Sequence, residues 1–217
     1  MREGGRVLLA LGDSNTHGTL PMPAPGALGR HPPGARWPDV TAAALGPGWT
    51  VLAEGHPGRT TTHDDPIEGA HKNGRRVLPA LLESHRPIDV VALMLGTNDL
   101  KARYGLLPVD IALGVEKLAQ EVRASTAGPG GAAPALLLIA PVPIREAGFL
   151  GEIFAGGAAK SQAVAAALAA VADRLGAAFL DAGQHAAVDP LDGVHLDAAA
   201  HRAIGTAVAD DVRRHWP

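Results

Sequence analysis

Asp-Val-Val-Ala-Leu-Met-Leu, at positions 89–95, decides the fold class. Six consecutive apolar residues are typical of a strand covered on both faces, as in the middle of a parallel sheet. Other short apolar runs alternate along the chain with longer segments whose apolar residues recur every three or four positions. The predicted strands are 6–11, 50–54, 89–95, 135–139 and 178–181, and the predicted helices are 37–45, 74–84, 108–125, 158–175 and 197–213.

This alternation predicts a doubly wound α/β fold with a five-stranded parallel sheet. The chain has 217 residues, of which 47% are hydrophobic, and this suits one domain with one core over 1–217. Pro38 is expected in the first turn of its helix, and Asp197 is expected as the N-cap of the last helix. Gly46 and Gly176 are expected at helix ends.

Composition excludes several classes of function. The chain has no cysteine, which excludes disulfides, thiolate metal sites and a cysteine nucleophile. Its formal net charge is −3, so neither nucleic acid nor an anionic membrane is an expected partner. No segment has the roughly 18 apolar residues of a membrane span. The sequence therefore predicts a soluble, cytoplasmic protein.

Four short segments carry the residue types that acyl transfer needs. They are Gly-Asp-Ser-Asn at 12–15, His-Pro-Gly-Arg at 56–59, Gly-Thr-Asn-Asp at 96–99 and Asp-Gly-Val-His at 192–195. Each segment follows a predicted strand, and ligands bind outside the carboxyl ends of the strands in such sheets. We therefore expect all four segments at one edge of the sheet, with the long loops 19–35 and 63–73 nearby.

Ser14 and His195 are the candidate nucleophile and base. A serine hydroxyl is a weak nucleophile until a base removes its proton, and histidine titrates close to neutral pH. Asp192 lies three residues before His195 and is the preferred carboxylate to orient the imidazole. Asp189 and Asp197 are rivals for that role, but the first precedes a proline and the second suits a helix cap.

The candidate oxyanion donors are the backbone N–H groups of Ser14 and Gly58 and the side-chain amide of Asn98. Taken alone, Gly58 would be an ordinary turn glycine and Asn98 a turn residue at a strand end. Asp13 and Asp99 are expected to be structural, accepting hydrogen bonds from backbone N–H groups in the loops around the site.

A metal site is one alternative use of the ten histidines. His63-Asp64-Asp65 and His71 lie in one loop, but no helical spacing pairs them, so we expect a solvent-exposed polar loop. A metallophosphoesterase would also use Gly-Asp and Asn segments. It would need an upstream Asp-x-His and a second Asp after Gly-Asp to bridge two metals, and these are missing here.

In this order, Ser14, Gly58, Asn98 and His195 resemble the four signature residues of the SGNH (GDSL-type) hydrolase superfamily. The resemblance covers the chain from Gly12 to Asp197. It implies a flavodoxin-like three-layer α/β/α sandwich, with the triad and the oxyanion hole named above. It also implies that the protein needs no metal and no organic cofactor.

Further stretches are similar to the bacterial arylesterase/acyltransferase branch of this superfamily. This resemblance implies cleavage of short acyl groups from small aryl, alkyl or sugar esters, often by homo-oligomers. An acyltransferase using an alcohol acceptor is the alternative function, and a non-catalytic ester- or sugar-binding protein is disfavoured by the complete set of catalytic residue types. The stretches are Arg36-Trp37, 58–61, 64–66, 94–99, 108–114, 153–157 and 179–183.

The residues just after the nucleophile depart from that branch. Asn15, His17 and Thr19 stand where apolar or bulky residues are usual, which favours a more polar pocket and hydrolysis over transfer. The segment 141–157 is expected to form an apolar wall for the acyl group, although it would equally suit packing against another subunit. The predicted substrate-binding residues are Asn15, His17, Thr97, Ile144, Phe154 and Val194.

Overall fold

The sheet has five strands, all parallel. In this computed structural model, which describes residues 5–27 and 29–217, the strand order is β2-β1-β3-β4-β5. This confirms the predicted fold class, and each strand lies within one residue of its predicted bounds. The strands are β1 (Arg6–Gly12), β2 (Trp49–Gly55), β3 (Val90–Met94), β4 (Ala135–Ala140) and β5 (Ala178–Asp181).

Helices cover both faces of the sheet, which makes three layers. The five long helices start and end close to their predicted positions, whereas the one-turn helices α1 and α5 were not predicted because four residues show no periodicity. The helices are α1 (Ser14–His17), α2 (Trp37–Leu45), α3 (Gly74–His85), α4 (Pro108–Ala124), α5 (Leu150–Ile153), α6 (Gly157–Leu175) and α7 (Ala198–His215).

Alternate residues of the central strands enter two separate cores. Leu9 and Leu11 of β1 pack with α3, α4 and α6, while Leu8 and Ala10 pack with α2 and α7. Every residue of β3 is buried, as its unbroken apolar sequence predicts. This double burial explains why the strand carries no alternation of polar and apolar residues.

Helix ends agree with the local sequence signals. The Asp197 carboxylate accepts a hydrogen bond from the Ala200 N–H at 2.7 Å and so caps α7. Gly46 and Gly176 end α2 and α6 with φ of +80° and +58°, a region that side chains with a Cβ disfavour. None of the described helices combines the length and the apolar character needed to cross a bilayer.

The strand register brings the loops that follow the strands to one edge. Gly12 at the end of β1 is paired with Gly55 of β2 and with Met94 of β3. The three segments that leave β1, β2 and β3 therefore start side by side. Since every strand is parallel, the loops after β4 and β5 leave from the same edge.

Candidate active site

Ser14 is the first residue of α1 and follows β1 through a tight turn. A Cβ on Gly12 would lie 2.0 Å from Thr16 Oγ1 and 2.8 Å from the Met94 carbonyl oxygen, so only glycine fits there. The Asp13 carboxylate accepts a hydrogen bond from the Asn15 N–H at 2.9 Å and caps the helix. Since the N–H groups of a first helical turn have no partner within the helix, the Ser14 N–H suits an incoming oxygen.

His195 is held by Asp192, as its sequence spacing predicts. The ring Nδ1 lies 2.7 Å from Asp192 Oδ2, and Oδ1 accepts the N–H groups of Val194 and His195, each at 2.9 Å. Oδ2 also accepts the Met22 N–H at 2.7 Å. Burial raises the pKa of Asp192, but the hydrogen bonds from His195 outweigh it and lower the pKa to about 2. Asp192 is therefore ionised at neutral pH.

The two rival aspartates have other partners. Asp189 accepts the Leu191 N–H at 2.8 Å, and Asp197 caps α7. Among the described residues, Asp192 is the carboxylate that contacts the His195 ring. With Nδ1 engaged in this way, Nε2 is the ring nitrogen left to exchange a proton with a substrate or a nucleophile.

One cavity of about 360 Å³ brings the four segments together. Ser14, Gly58, Asn98 and His195 all line it. Within the described part of the chain no hydrogen bond joins the Ser14 hydroxyl to His195, and such catalytic contacts often form only when substrate is bound. A larger groove of about 640 Å³ runs along α3 and the end of α4, and its lining includes none of the four segments.

Gly58 and Asn98 lie in two loops that are tied to each other. Gly58 has a φ of +80°, and a Cβ there would lie 2.7 Å from Glu68 Oε2. The Asn98 amide donates to the Arg59 carbonyl oxygen at 3.1 Å. Because a side-chain amide has two N–H groups, the second remains for a ligand. The Arg59 guanidinium in turn donates to the Gly12 carbonyl oxygen at 2.9 Å, which links this loop to the turn before Ser14.

Asp13 and Asp99 are both buried beneath these loops. Asp99 accepts the Thr61 N–H at 3.0 Å and the Thr61 hydroxyl at 2.5 Å, so it joins the loop after β3 to the loop after β2. Burial raises the pKa of both carboxyl groups, that of Asp99 to about 6 despite the hydrogen bonds from Thr61. Their contacts agree with the structural role expected from the sequence.

The Asp99→Asn substitution should change how stability depends on pH. The pKa of Asp99 is raised from 3.8 to about 6, so the folded protein holds this proton to higher pH than the unfolded chain does. The carboxyl group therefore costs stability as pH rises through this window, by about 3 kcal/mol in total. The amide of an asparagine at this position would not titrate.

Urea unfolding at about pH 4 and about pH 7 measures this effect. Between these two pH values, the free energy of unfolding of the variant should rise by about 2 kcal/mol relative to that of the unsubstituted protein. A relative stability that is equal at both pH values would show that Asp99 ionises normally in the folded protein.

The structure divides the predicted substrate-binding residues into two groups. His17, Phe154 and Val194 line the cavity. Asn15, Thr97 and Ile144 are not among the described lining residues, so the structure does not bring these three side chains together with the others. The reason is that a residue next to a functional one in a turn or a helix points in another direction.

Each of these three residues is buried behind the cavity. The Asn15 amide donates to the Val194 carbonyl oxygen at 3.1 Å and so connects α1 to the loop that carries His195. Thr97 lies beside Asp13, where its hydroxyl lowers the pKa of that carboxyl group against the larger effect of burial. Ile144 belongs to the core between the sheet and α6.

The sequence interpretation missed several residues that line the cavity. The long loops expected near the site contribute to the lining, but nothing in their composition indicated which side chains face inward. Leu150 and Ile153 belong to segment 141–157, which was expected to form an apolar wall for the acyl group, and both line the cavity. The missed lining residues include Met22, Arg30, Lys72, Lys101, Arg103, Leu150 and Ile153.

Loop 63–73 is not a simple exposed polar loop. Asp65 is only 2% exposed because its carboxylate accepts the Ile67 and Glu68 N–H groups and the Tyr104 hydroxyl. Asp64 pairs with Arg76 at 2.6 Å. Across residues 5–27 and 29–217, no three His, Cys, Asp or Glu side chains are grouped as metal ligands would be.

Comparisons with known proteins agree with this geometry. The native aryl esterase of M. smegmatis is 37% identical to this chain, with a TM-score of 0.92 over 97% of this chain and 99% of that one. A carbohydrate acetylesterase from Sinorhizobium meliloti is 38% identical, with a TM-score of 0.92 over 97% and 100% of the two chains. No curated protein matches the chain.

The profile of the GDSL-like lipase/acylhydrolase family matches residues 10–203. That range includes all four segments that line the cavity. The chain therefore belongs to the GDSL-like lipase/acylhydrolase family and is, by that membership, a carboxylic ester hydrolase.

Proposed function

We propose that the protein is a serine esterase that hydrolyses short-chain, acetyl-like esters of aryl, alkyl or sugar alcohols through an acyl group on Ser14. One observation carries this proposal. His195, paired with Asp192 at 2.7 Å, lines the same cavity as Ser14 and the candidate oxyanion donors Gly58 and Asn98.

In this mechanism the Ser14 oxygen attacks the ester carbonyl carbon while His195 Nε2 takes the hydroxyl proton. The carbonyl oxygen becomes an oxyanion and accepts hydrogen bonds from the Ser14 and Gly58 N–H groups and the Asn98 amide. His195 then gives its proton to the leaving alcohol. A water molecule attacks the acyl group with His195 as base, which releases the carboxylic acid and restores Ser14. Asp192 stays ionised and stabilises the imidazolium.

The size and the lining of the cavity support a small acyl group. A volume of about 360 Å³ is at the lower end for small-molecule sites, and it must hold both halves of the ester. Leu150, Ile153 and Phe154 give it an apolar portion suited to a short alkyl chain. The aryl and carbohydrate ester specificities named for the similar enzymes support aryl and sugar alcohols as the other half.

Trapping the acyl-enzyme tests the proposal directly. Mixing the protein with 4-nitrophenyl acetate and quenching with acid should leave an acetyl group on the peptide that contains Ser14, as measured by mass spectrometry. A series of acetyl, butyryl and octanoyl esters should show kcat/KM falling with chain length. Turnover of the acetate without acetylation of Ser14, or a preference for the octanoyl ester, would contradict the proposal.

Acyl transfer to an alcohol is the competing outcome of the second step. His17 and Thr19 both line the cavity, and their side chains are joined at 3.1 Å. These polar groups support water as the acceptor, so we propose that hydrolysis predominates. The ratio of new ester to free acid in the presence of added alcohol measures the partition.

We also propose that the protein is a homo-oligomer. Leu107, Val109 and Leu113 at the start of α4 are each more than half exposed, at 57%, 53% and 51%. Val109 and Leu113 are four residues apart, so they share one face of the helix. A cluster of this kind is typical of a surface covered by another subunit, and light scattering with size-exclusion chromatography measures the molar mass.

A further inference from the structure

The cavity is cationic although the chain is not. Among the described residues, four cationic side chains line it, those of Arg30, Lys72, Lys101 and Arg103, beside the single acidic side chain of Glu68. The whole chain carries a formal net charge of −3. The excess of positive charge is therefore local to the candidate active site.

Three of these cations share two carboxylates. Lys101 Nζ lies 2.6 Å from Glu68 Oε1 and 3.5 Å from Asp65 Oδ2. Arg103 reaches the same two carboxylates at 3.1 and 3.4 Å, and Lys72 lies 3.7 Å from Glu68. This group of side chains keeps one positive charge that no acidic partner among the described residues balances.

This charged group adjoins the candidate oxyanion hole. The position of a Cβ on Gly58 would be 2.7 Å from Glu68 Oε2 and 3.3 Å from the Lys72 side chain. Lys72 Nζ also donates to the Pro57 carbonyl oxygen at 2.8 Å. A ligand bound at Gly58 therefore lies within the field of these charges.

Arg30 adds a second unbalanced charge. The Arg30 Nε donates to the His17 carbonyl oxygen at 2.9 Å. The backbone at Arg30 is held by an isolated antiparallel β-bridge to Thr19. Within the described part of the chain it forms no ion pair with a carboxylate. The charge of Arg30 acts on His17 inside the cavity. Burial lowers the pKa of His17 most, and Arg30 and Arg36 lower it further.

We propose that the preferred substrates are esters whose alcohol part carries a carboxylate, and that this carboxylate pairs with the Arg30 guanidinium. This inference rests on the proposed esterase function. A planar guanidinium whose Nε is already engaged still offers its terminal N–H groups to a carboxylate. The acyl group then takes the apolar portion formed by Leu150, Ile153 and Phe154, while the alcohol part faces the cations.

Three acetate esters that differ in charge test this proposal. They are 4-acetoxybenzoate, 4-acetoxybenzamide and (4-acetoxyphenyl)trimethylammonium, and each kcat/KM is divided by the rate constant for hydroxide-catalysed hydrolysis of the same ester. The anionic ester should exceed the neutral one by about tenfold, the size of one charge-assisted hydrogen bond. The cationic ester should be the poorest of the three, and added salt should reduce the differences.

The variant Arg30→Gln should lower the ratio of anionic to neutral ester by about tenfold. Arg202→Gln is the matched control, because Arg202 is exposed on α7 and its loss changes the net charge equally. That control should leave the ratio unchanged. Equal normalised values for the three esters would overturn the proposal, as would a ratio that survives Arg30→Gln or falls equally in Arg202→Gln. Failure to hydrolyse any of the three esters would instead contradict the proposed function.

Discussion

The variant Ser14→Ala is expected to lose about 10⁴- to 10⁶-fold of kcat for 4-nitrophenyl acetate. The loss is large because alanine offers no nucleophile, so no acyl-enzyme forms. The oxyanion donors and His195 stay in place, so the variant should keep a small rate acceleration over the uncatalysed reaction in water. Initial rates at neutral pH, with enough variant protein to measure that residual rate, give the factor.

The fold of Ser14→Ala should survive the substitution. In the described part of the chain the Ser14 hydroxyl makes no hydrogen bond, so its removal should change the free energy of unfolding by no more than about 1 kcal/mol. Ser125→Ala is a matched control, since Ser125 follows α4 at the large groove, which includes none of the four segments. The control should keep its activity, and activity retained in Ser14→Ala would exclude Ser14 as the nucleophile.

The variant Asp192→Asn is expected to lose about 10³- to 10⁴-fold of kcat, which is the second largest effect. An amide N–H facing His195 Nδ1 would favour the tautomer with its proton on Nε2. That tautomer cannot take the proton from Ser14. Measuring kcat from about pH 5 to about pH 9 tests the loss, since a general base with its correct tautomer is needed throughout this range.

Asp197→Asn and Asp189→Asn are the controls for that experiment. Both residues were rivals for the orienting role, and both accept backbone N–H groups in the structure, which the oxygen of asparagine also accepts. Asn is moreover a good N-cap. Each control should therefore keep most of the activity, and a larger loss in either of them than in Asp192→Asn would reassign the triad.

Asp192→Asn should also lose stability at neutral pH. Hydrogen bonds from His195 bring the pKa of Asp192 from 3.8 to about 2. Because the pKa is lowered on folding, the carboxylate contributes about 2 kcal/mol of stability at pH values above its pKa in the unfolded chain. This contribution is lost as pH falls from about 4 to about 2. The sign is opposite to that at Asp99, where burial dominates.

The sheet and the five long helices could be predicted because each one satisfies a local rule. The six apolar residues of 90–95 need burial on both faces, whatever the rest of the chain does. Asp197 caps a helix through its own neighbouring N–H groups. The short helices α1 and α5 could not be predicted in this way, because a single turn of helix is stabilised by packing against its surroundings and shows no periodicity in its sequence.

The candidate site could be predicted to the level of its segments and of its principal residues. A parallel sheet places the ends of its strands at one edge, so Ser14, Gly58 and Asn98 had to meet once the strands were identified. Which neighbours share the cavity was not predictable in this way. Asn15 and Ile144 are buried behind the cavity, whereas His17 and Phe154 line it, and their positions in the sequence do not distinguish the two pairs.

The sequence by itself determined where strands and helices alternate along the chain, which chemical groups follow the strands and the pairing of Asp192 with His195. All three depend on residues close together in the chain. The tertiary structure alone decided that Asp65 is buried, that Asp99 joins two loops and that Arg30 lines the cavity without a carboxylate partner among the described residues. These properties depend on contacts with residues far away in sequence, such as the Tyr104 hydroxyl at Asp65 and Thr61 at Asp99. The charge of the cavity therefore differs from that of the whole chain, and only the folded arrangement shows it.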